Sequence, residues 1–215
     1  MLSSPRRPDI FLLFSLLLVI LLHPVLDHGG YRRTLLGITM LLPVILASVR
    51  LSEAKGWKWL VVLLLIGAVA LTAADIVSPG RAFAPTRFGL LAAFFALTVS
   101  KMFFSLKNAS SVDEAHLATA ISIYLLLGML WFALYSAIEA LHPGAILFTN
   151  TRTDRQSELL YFSLVTLSTV GYGDILPLQG EVRMLAALEG ITGVLYVAII
   201  VAILVGAYQR KSNSN

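Results

Sequence analysis

Cysteine is absent from the 215 residues, which excludes disulfides and thiolate metal ligation and leaves the redox compartment undetermined. Charge is scarce as well. Charged residues make up 13% of the chain, against roughly 25% in an average soluble domain. No basic cluster stands out, so the net charge of +4 points to contact with anionic lipid headgroups and not to nucleic acid. Histidine, aspartate and glutamate nowhere converge into a catalytic or metal-binding constellation, and no internal repeat is visible. What fills the sequence instead is apolar: hydrophobic residues reach 58%.

A membrane-spanning helix needs about 17 to 25 predominantly apolar residues. Six runs approach or meet that length: Ile10–Leu26, Thr34–Val49, Trp57–Val77, Phe88–Phe104, Leu117–Leu141 and Val182–Tyr208. Short polar joints connect them, so the chain reads as an integral membrane protein. Arg6-Arg7 followed by Phe11–Leu22 also fits a secretory signal peptide, but Asp27-His28-Gly29-Gly30-Tyr31 offers no small-x-small cleavage site and a retained helix is expected. Between the fourth and fifth runs, Ser111 and Glu114 form a capping box at the head of the fifth helix. The sequon Asn108-Ala109-Ser110 in the same connector is taken as chance.

Voltage sensing needs several cations at three-residue spacing, because each charge contributes only about 2.3 kcal/mol per 100 mV. The fourth run is uncharged from Phe88 to Ser100, between Arg87 and Lys101, and Lys101 is expected to snorkel to headgroups. The first three runs lack acidic partners apart from Asp75. Little dependence on voltage is therefore expected.

The most informative string is Thr169-Val170-Gly171-Tyr172-Gly173-Asp174. Gly171 and Gly173 can take positive φ at little steric cost, so successive carbonyls can turn toward one axis and replace the water shell of a cation. A glycine-rich turn is the plainer alternative. The string resembles the selectivity filter of tetrameric potassium channels, and residues from Leu117 onward resemble that family's outer helix, pore helix, filter and inner helix.

The resemblance implies an all-α membrane protein with six transmembrane helices, a re-entrant pore helix and a filter loop. It implies K⁺ ions bound by Thr169, Val170, Gly171, Tyr172 and Gly173, with no other cofactor. Gln156–Ser168 would be the pore helix, capped by Thr153 or Asp154 with Glu158 in its first turn. Ser168, Asp174, Tyr161, Phe162 and Val165 would support the filter. Tyr161 and Phe162 stand where the family often has two tryptophans, and Tyr161 can still reach Asp174 with its hydroxyl. Val165 replaces a glutamate found in some members, so no carboxyl pair with Asp174 forms. Gly193 falls at the position of the gating hinge, ten residues past Arg183, although Gly190 competes and close helix packing is an alternative. Val194, Val197, Val201 and Val205 share a face expected to line the cavity, with lipid or the outer helix as the other candidates. Glu189 is expected to pack behind the filter, hydrogen-bonded or protonated.

One filter string cannot close a ring, so the chain is expected to assemble as a homotetramer in the plasma membrane, with both termini cytoplasmic. The expected divisions are a peripheral four-helix block (1–107), a cytoplasmic connector (108–116), a pore domain (117–208) and a short cytoplasmic tail (209–215). The expected activity is passive K⁺-selective conduction without strong voltage gating, and no enzymatic function. A non-conducting or modulatory subunit, or a membrane enzyme or transporter with an incidental glycine loop, are the alternatives.

Overall fold

Without water to satisfy them, backbone N–H and C=O groups must pair within the chain, and an apolar run does so by closing a helix. In the computed structural model, residues 8–26, 42–47, 58–77, 83–107, 114–149 and 154–212 are described. They form α1 (Pro8–Leu26), α2 (Lys58–Val77), α3 (Ala84–Lys107), α4 (Glu114–Leu141), β1 (Ile146–Phe148), α5 (Arg155–Leu167), β2 (Ile175–Pro177) and α6 (Gly180–Ser212). Residues 42–47 are also helical. Among the described residues, Ala84–Leu106, His116–Leu141 and Gly180–Gly206 are long and apolar enough to cross a membrane, and Ile10–Leu22 is a shorter apolar helix. Helices therefore stand at five of the six apolar runs, and residues 42–47, the described part of the remaining one, are helical as well. Most of Thr34–Val49 lies outside the described residues, as do Ser111, the sequon and Thr153.

The fourth run starts earlier than its apolar content suggests, because Pro85 sits in the first turn of α3, where a missing N–H leaves no bond unmade. Arg87 is thus inside the helix. It is buried, with its guanidinium 4.5 Å from the centre of the Phe88 ring.

Helix α4 is the centre of the molecule, in contact with α1, α3 and α5. Its buried Leu126, Met129, Phe132 and Ala133 join Leu12 and Leu16 of α1 and Phe94 and Phe95 of α3 in one continuous core. Phe88 meets Phe132 edge to face, with centroids 6.0 Å apart, a geometry the ring quadrupoles favour. Hydroxyls within these helices fold back on their own turns: Thr72 donates to the Ala68 carbonyl, Thr98 to Phe94 and Ser122 to Ala118. Such bonds make a polar residue tolerable in an apolar helix.

Helix α6 behaves differently. Within Gly180–Gly206 an 18-residue apolar window is only 17% buried, against 67% for the corresponding window in His116–Leu141 of α4. The buried part includes a stripe at i, i+4, i+7 and i+11, formed by Glu189, Gly193, Tyr196 and Ile200. Tyr196 donates to the Ala120 carbonyl of α4 at 2.5 Å and lies beside the Tyr124 ring. Val194, Val197, Val201 and Val205 lie on another face, and each is about half exposed.

Candidate functional site

The loop 169–174 owes its conformation to the helix that precedes it. Asp154, extended at φ −67° and ψ 139°, caps α5 by accepting the Gln156 N–H, with Glu158 in the first turn, as expected from the sequence. At the other end, the Thr169 N–H donates to the Thr166 carbonyl (2.9 Å) and the Val170 N–H to Val165 (3.0 Å). This pair of bonds is a Schellman termination, which requires a left-handed residue at its second-last position. That residue is Thr169, at φ +60°. A β-branched residue there is a genuine outlier. Gly171 (φ +55°) and Gly173 (φ +79°) then repeat the left-handed geometry at every second position. Alternation of this kind reverses each successive peptide relative to a strand, so carbonyls that would point to opposite sides can share one.

The outer side of the loop is tied down by short strands. β1 and β2 pair antiparallel with Leu147 opposite Leu176, and the Leu178 N–H donates to the Ala145 carbonyl. The Thr149 hydroxyl donates to the Asp174 carbonyl at 2.8 Å. Tyr161 donates to Asp174 Oδ2 at 2.9 Å, and its ring lies parallel to Tyr172 at 6.4 Å. Burial first, and then the bond to Asp174, push the Tyr161 phenol up to about 12, so it remains a donor at any ordinary pH. Phe162 is buried edge-on to Tyr135, and Ser168 returns its hydroxyl to the Leu164 carbonyl at the end of α5. Val165 contributes its carbonyl to the Schellman pair.

Two buried glutamate side chains hold this assembly together. Glu139, near the end of α4, accepts the Gly144 N–H (3.0 Å), the Ile146 N–H (3.2 Å) and the Arg155 guanidinium (2.6 Å). It thereby fixes the 142–146 turn, β1 and the start of α5 to one point. Arg155 also lies over the Phe148 ring at 5.1 Å. Glu189 of α6 accepts from the Tyr135 hydroxyl (2.7 Å) and lies 2.6 Å from Ser163 Oγ, so it bridges α4, α5 and α6 as a packed, hydrogen-bonded group. Glu139, Arg155, Tyr135, Ser163 and Thr149 are absent from the sequence-derived site. A glutamate inside an apolar run is expensive unless partnered, and that rule alone would have marked Glu139.

Close approaches seat α5 between its neighbours. A Cβ on Gly128 would lie 2.7 Å from Leu164, and one on Gly193 would collide with the Leu167 carbonyl. Gly190 has ordinary van der Waals space by comparison. Helix α6 runs unbroken through Gly193, so the visible requirement there is close packing. Between the loop and α6 lies a cavity of about 500 Å³, bounded by Thr166, Thr169 and Gly171 on one side and Gly190, Ile191 and Val194 on the other. The negative end of α5 adjoins it, which favours a cation there. Among the described residues, no group of three His, Cys, Asp or Glu is placed to hold a metal ion.

Residues 119–210 match a protein family described as ion channel. The chain is 36% identical over 80 residues to two pore potassium channel a of Oryza sativa subsp. japonica, covering 37% of this chain and 20% of the relative. It is 39% identical over 71 residues to two pore potassium channel b of the same plant, covering 33% and 18%. With two-pore potassium channel 4 of Arabidopsis thaliana it shares 43% over 49 residues, covering 23% and 17%. The chain thus spans a fifth or less of the length of these curated relatives. No solved structure matches it significantly. These likenesses are to potassium channels over short stretches, residues 119–210 resemble an ion-channel domain, and the apolar helices mark the chain as an integral membrane protein.

Proposed function

We propose that this chain is a subunit of a K⁺-selective channel in which Thr169–Gly173 is the selectivity filter and α5 the re-entrant pore helix. The observation that carries the reading is the alternation of left-handed geometry at Thr169, Gly171 and Gly173. It lets consecutive carbonyls face one axis, where they replace the hydration shell of a K⁺ ion. Thr169 adds a hydroxyl at the inner end, and Asp174, held by Tyr161, adds a carboxylate near the outer end.

One chain supplies one wall of such a site. Four copies around an axis would complete it, and the sparsely buried α6 offers the surface for that assembly. The relatives named above are two-pore channels, whereas this chain carries one filter string, so a ring of four copies is the assembly proposed. In that ring Val194, Val197, Val201 and Val205 would line the inner cavity. Gly193 would serve as both the packing point and the bending point of α6. The six helices, the plasma-membrane location, cytoplasmic termini and the division into peripheral block, connector, pore domain and tail complete the reading. Conduction would be passive and weakly dependent on voltage.

Purified protein reconstituted into liposomes, with a K⁺ or a Na⁺ gradient, tests this. K⁺ flux from a species of four-chain mass is the expected result. Absence of flux from correctly assembled protein would leave a non-conducting subunit as the better account.

A further inference from the structure

Glu189 has 0% relative exposure, where an ionised carboxylate without a cation costs several kcal/mol even after relaxation. Among the described residues the groups facing it are Tyr135 and Tyr124 from α4 and Ser163 from α5, and none of these is a cation. Hydrogen counting then decides its state. Ser163 Oγ is 2.6 Å from Glu189 Oε1 and 2.8 Å from the Gly128 carbonyl, and Tyr135 Oη is 2.7 Å from Glu189 Oε2. The carbonyl can only accept, and a serine hydroxyl has one hydrogen to give. An ionised Glu189 leaves three contacts with two hydrogens. A neutral acid supplies the third: Tyr135 donates to Oε2, Oε1–H donates to Ser163, and Ser163 donates to Gly128.

We propose that Glu189 works as a neutral carboxylic acid that donates to Ser163 and so positions α5, and the loop it launches, against α6. Its place on the stripe supports this. Glu189 meets Ser163 and, one turn later, Gly193 meets Leu167, so two i, i+4 steps on the two helices lie in register. Thr169 follows two residues after Leu167. A shift of α6 by one turn would break both contacts at once, and the acid fixes the register by a bond that a purely apolar contact cannot supply. With the proton in place Glu189 adds no charge behind the loop, and a passing cation meets the loop carbonyls, the Thr169 hydroxyl and Asp174.

Glutamine reproduces this wiring, since its amide can donate to Ser163 while its carbonyl accepts from Tyr135; alanine cannot. Purified protein in lipid is followed by infrared difference spectroscopy, thermal unfolding and liposome flux. At neutral pH the wild type should show a protonated-carboxyl band that is missing in Glu189→Gln and shifted in Ser163→Ala. Glu189→Gln should keep the wild-type midpoint and K⁺-over-Na⁺ flux ratio. Glu189→Ala should lower the midpoint and reduce the ratio by about tenfold, the scale of leaving a buried hydrogen-bonding group unsatisfied. Absence of the band in wild type, or Glu189→Gln behaving as Glu189→Ala does, would overturn the proposal. If Glu189→Gln does not assemble, the shift in Ser163→Ala decides the assignment. The flux readout alone rests on the channel reading: a silent wild type would sink that reading, while band and midpoint still decide the state of Glu189.

Discussion

Thr169 carries the heaviest local strain of the described residues, because its β-branched side chain sits where glycine is preferred. Such a conformation persists only when its surroundings over-determine it, and here the Schellman bonds fix it from one side. Tyr161 does the equivalent at the outer end. A hydrogen bond to a charged acceptor contributes about 1.5 to 3 kcal/mol, reduced toward about 1 where solvent reaches the pair. Tyr161→Phe should therefore accelerate the decay of current during sustained opening, measured in bilayers, and unchanged decay would mean the ring only packs. Because the phenol is raised from about 10 to about 12, its contribution at neutral pH persists to about 10 and is lost as pH rises toward about 12. Thermal midpoints of wild type should fall across that window relative to Tyr161→Phe. At this scale the sequence revealed the donor and the glycines, since residue type limits both. It did not reveal Thr169, whose left-handed turn contradicts its own propensity.

Element boundaries were largely legible, because a long apolar run in lipid has few alternatives to a helix. The β1–β2 pair was not: three residues a side, one strand ending in Pro177, leave no alternating pattern to detect. Glu139 and Arg155 are separated by a turn and a strand and meet only once both are formed. Gly193 shows why a glycine in a helix resists interpretation from sequence, since hinge and close contact require the same residue. Alanine at 193 would gain about 1 kcal/mol of helix propensity but overpack against a backbone carbonyl, which costs about 1 to 3 kcal/mol. Gly193→Ala should be net destabilising in a thermal or denaturant assay. Gly206, with nothing within 4 Å of its would-be Cβ, should be neutral or slightly stabilised by the same change. Equal effects at the two positions would contradict the packing seen here.

For the molecule as a whole, the apolar core runs continuously from α1 and α3 through α4 to the short helix behind the loop, while α6 stays largely uncovered. The single glycine string leads to the proposed assembly, but sequence does not say which face of α6 would line a pore, because valines at helical spacing suit lipid, protein or a water-filled cavity alike. Phe88–Ser100 of α3 carries no charge, so open probability should change little with voltage in single-channel recordings; a steep activation curve that flattens on neutralising Lys101 would overturn that expectation. The central claim is that the alternating backbone of Thr169–Gly173 selects K⁺. Its most direct test is the reversal potential of reconstituted wild-type protein with K⁺ on one side of a bilayer and Na⁺ on the other. A potential close to that of a membrane permeable to K⁺ alone is predicted, and a reversal near zero, as equal permeability would give, would contradict the account.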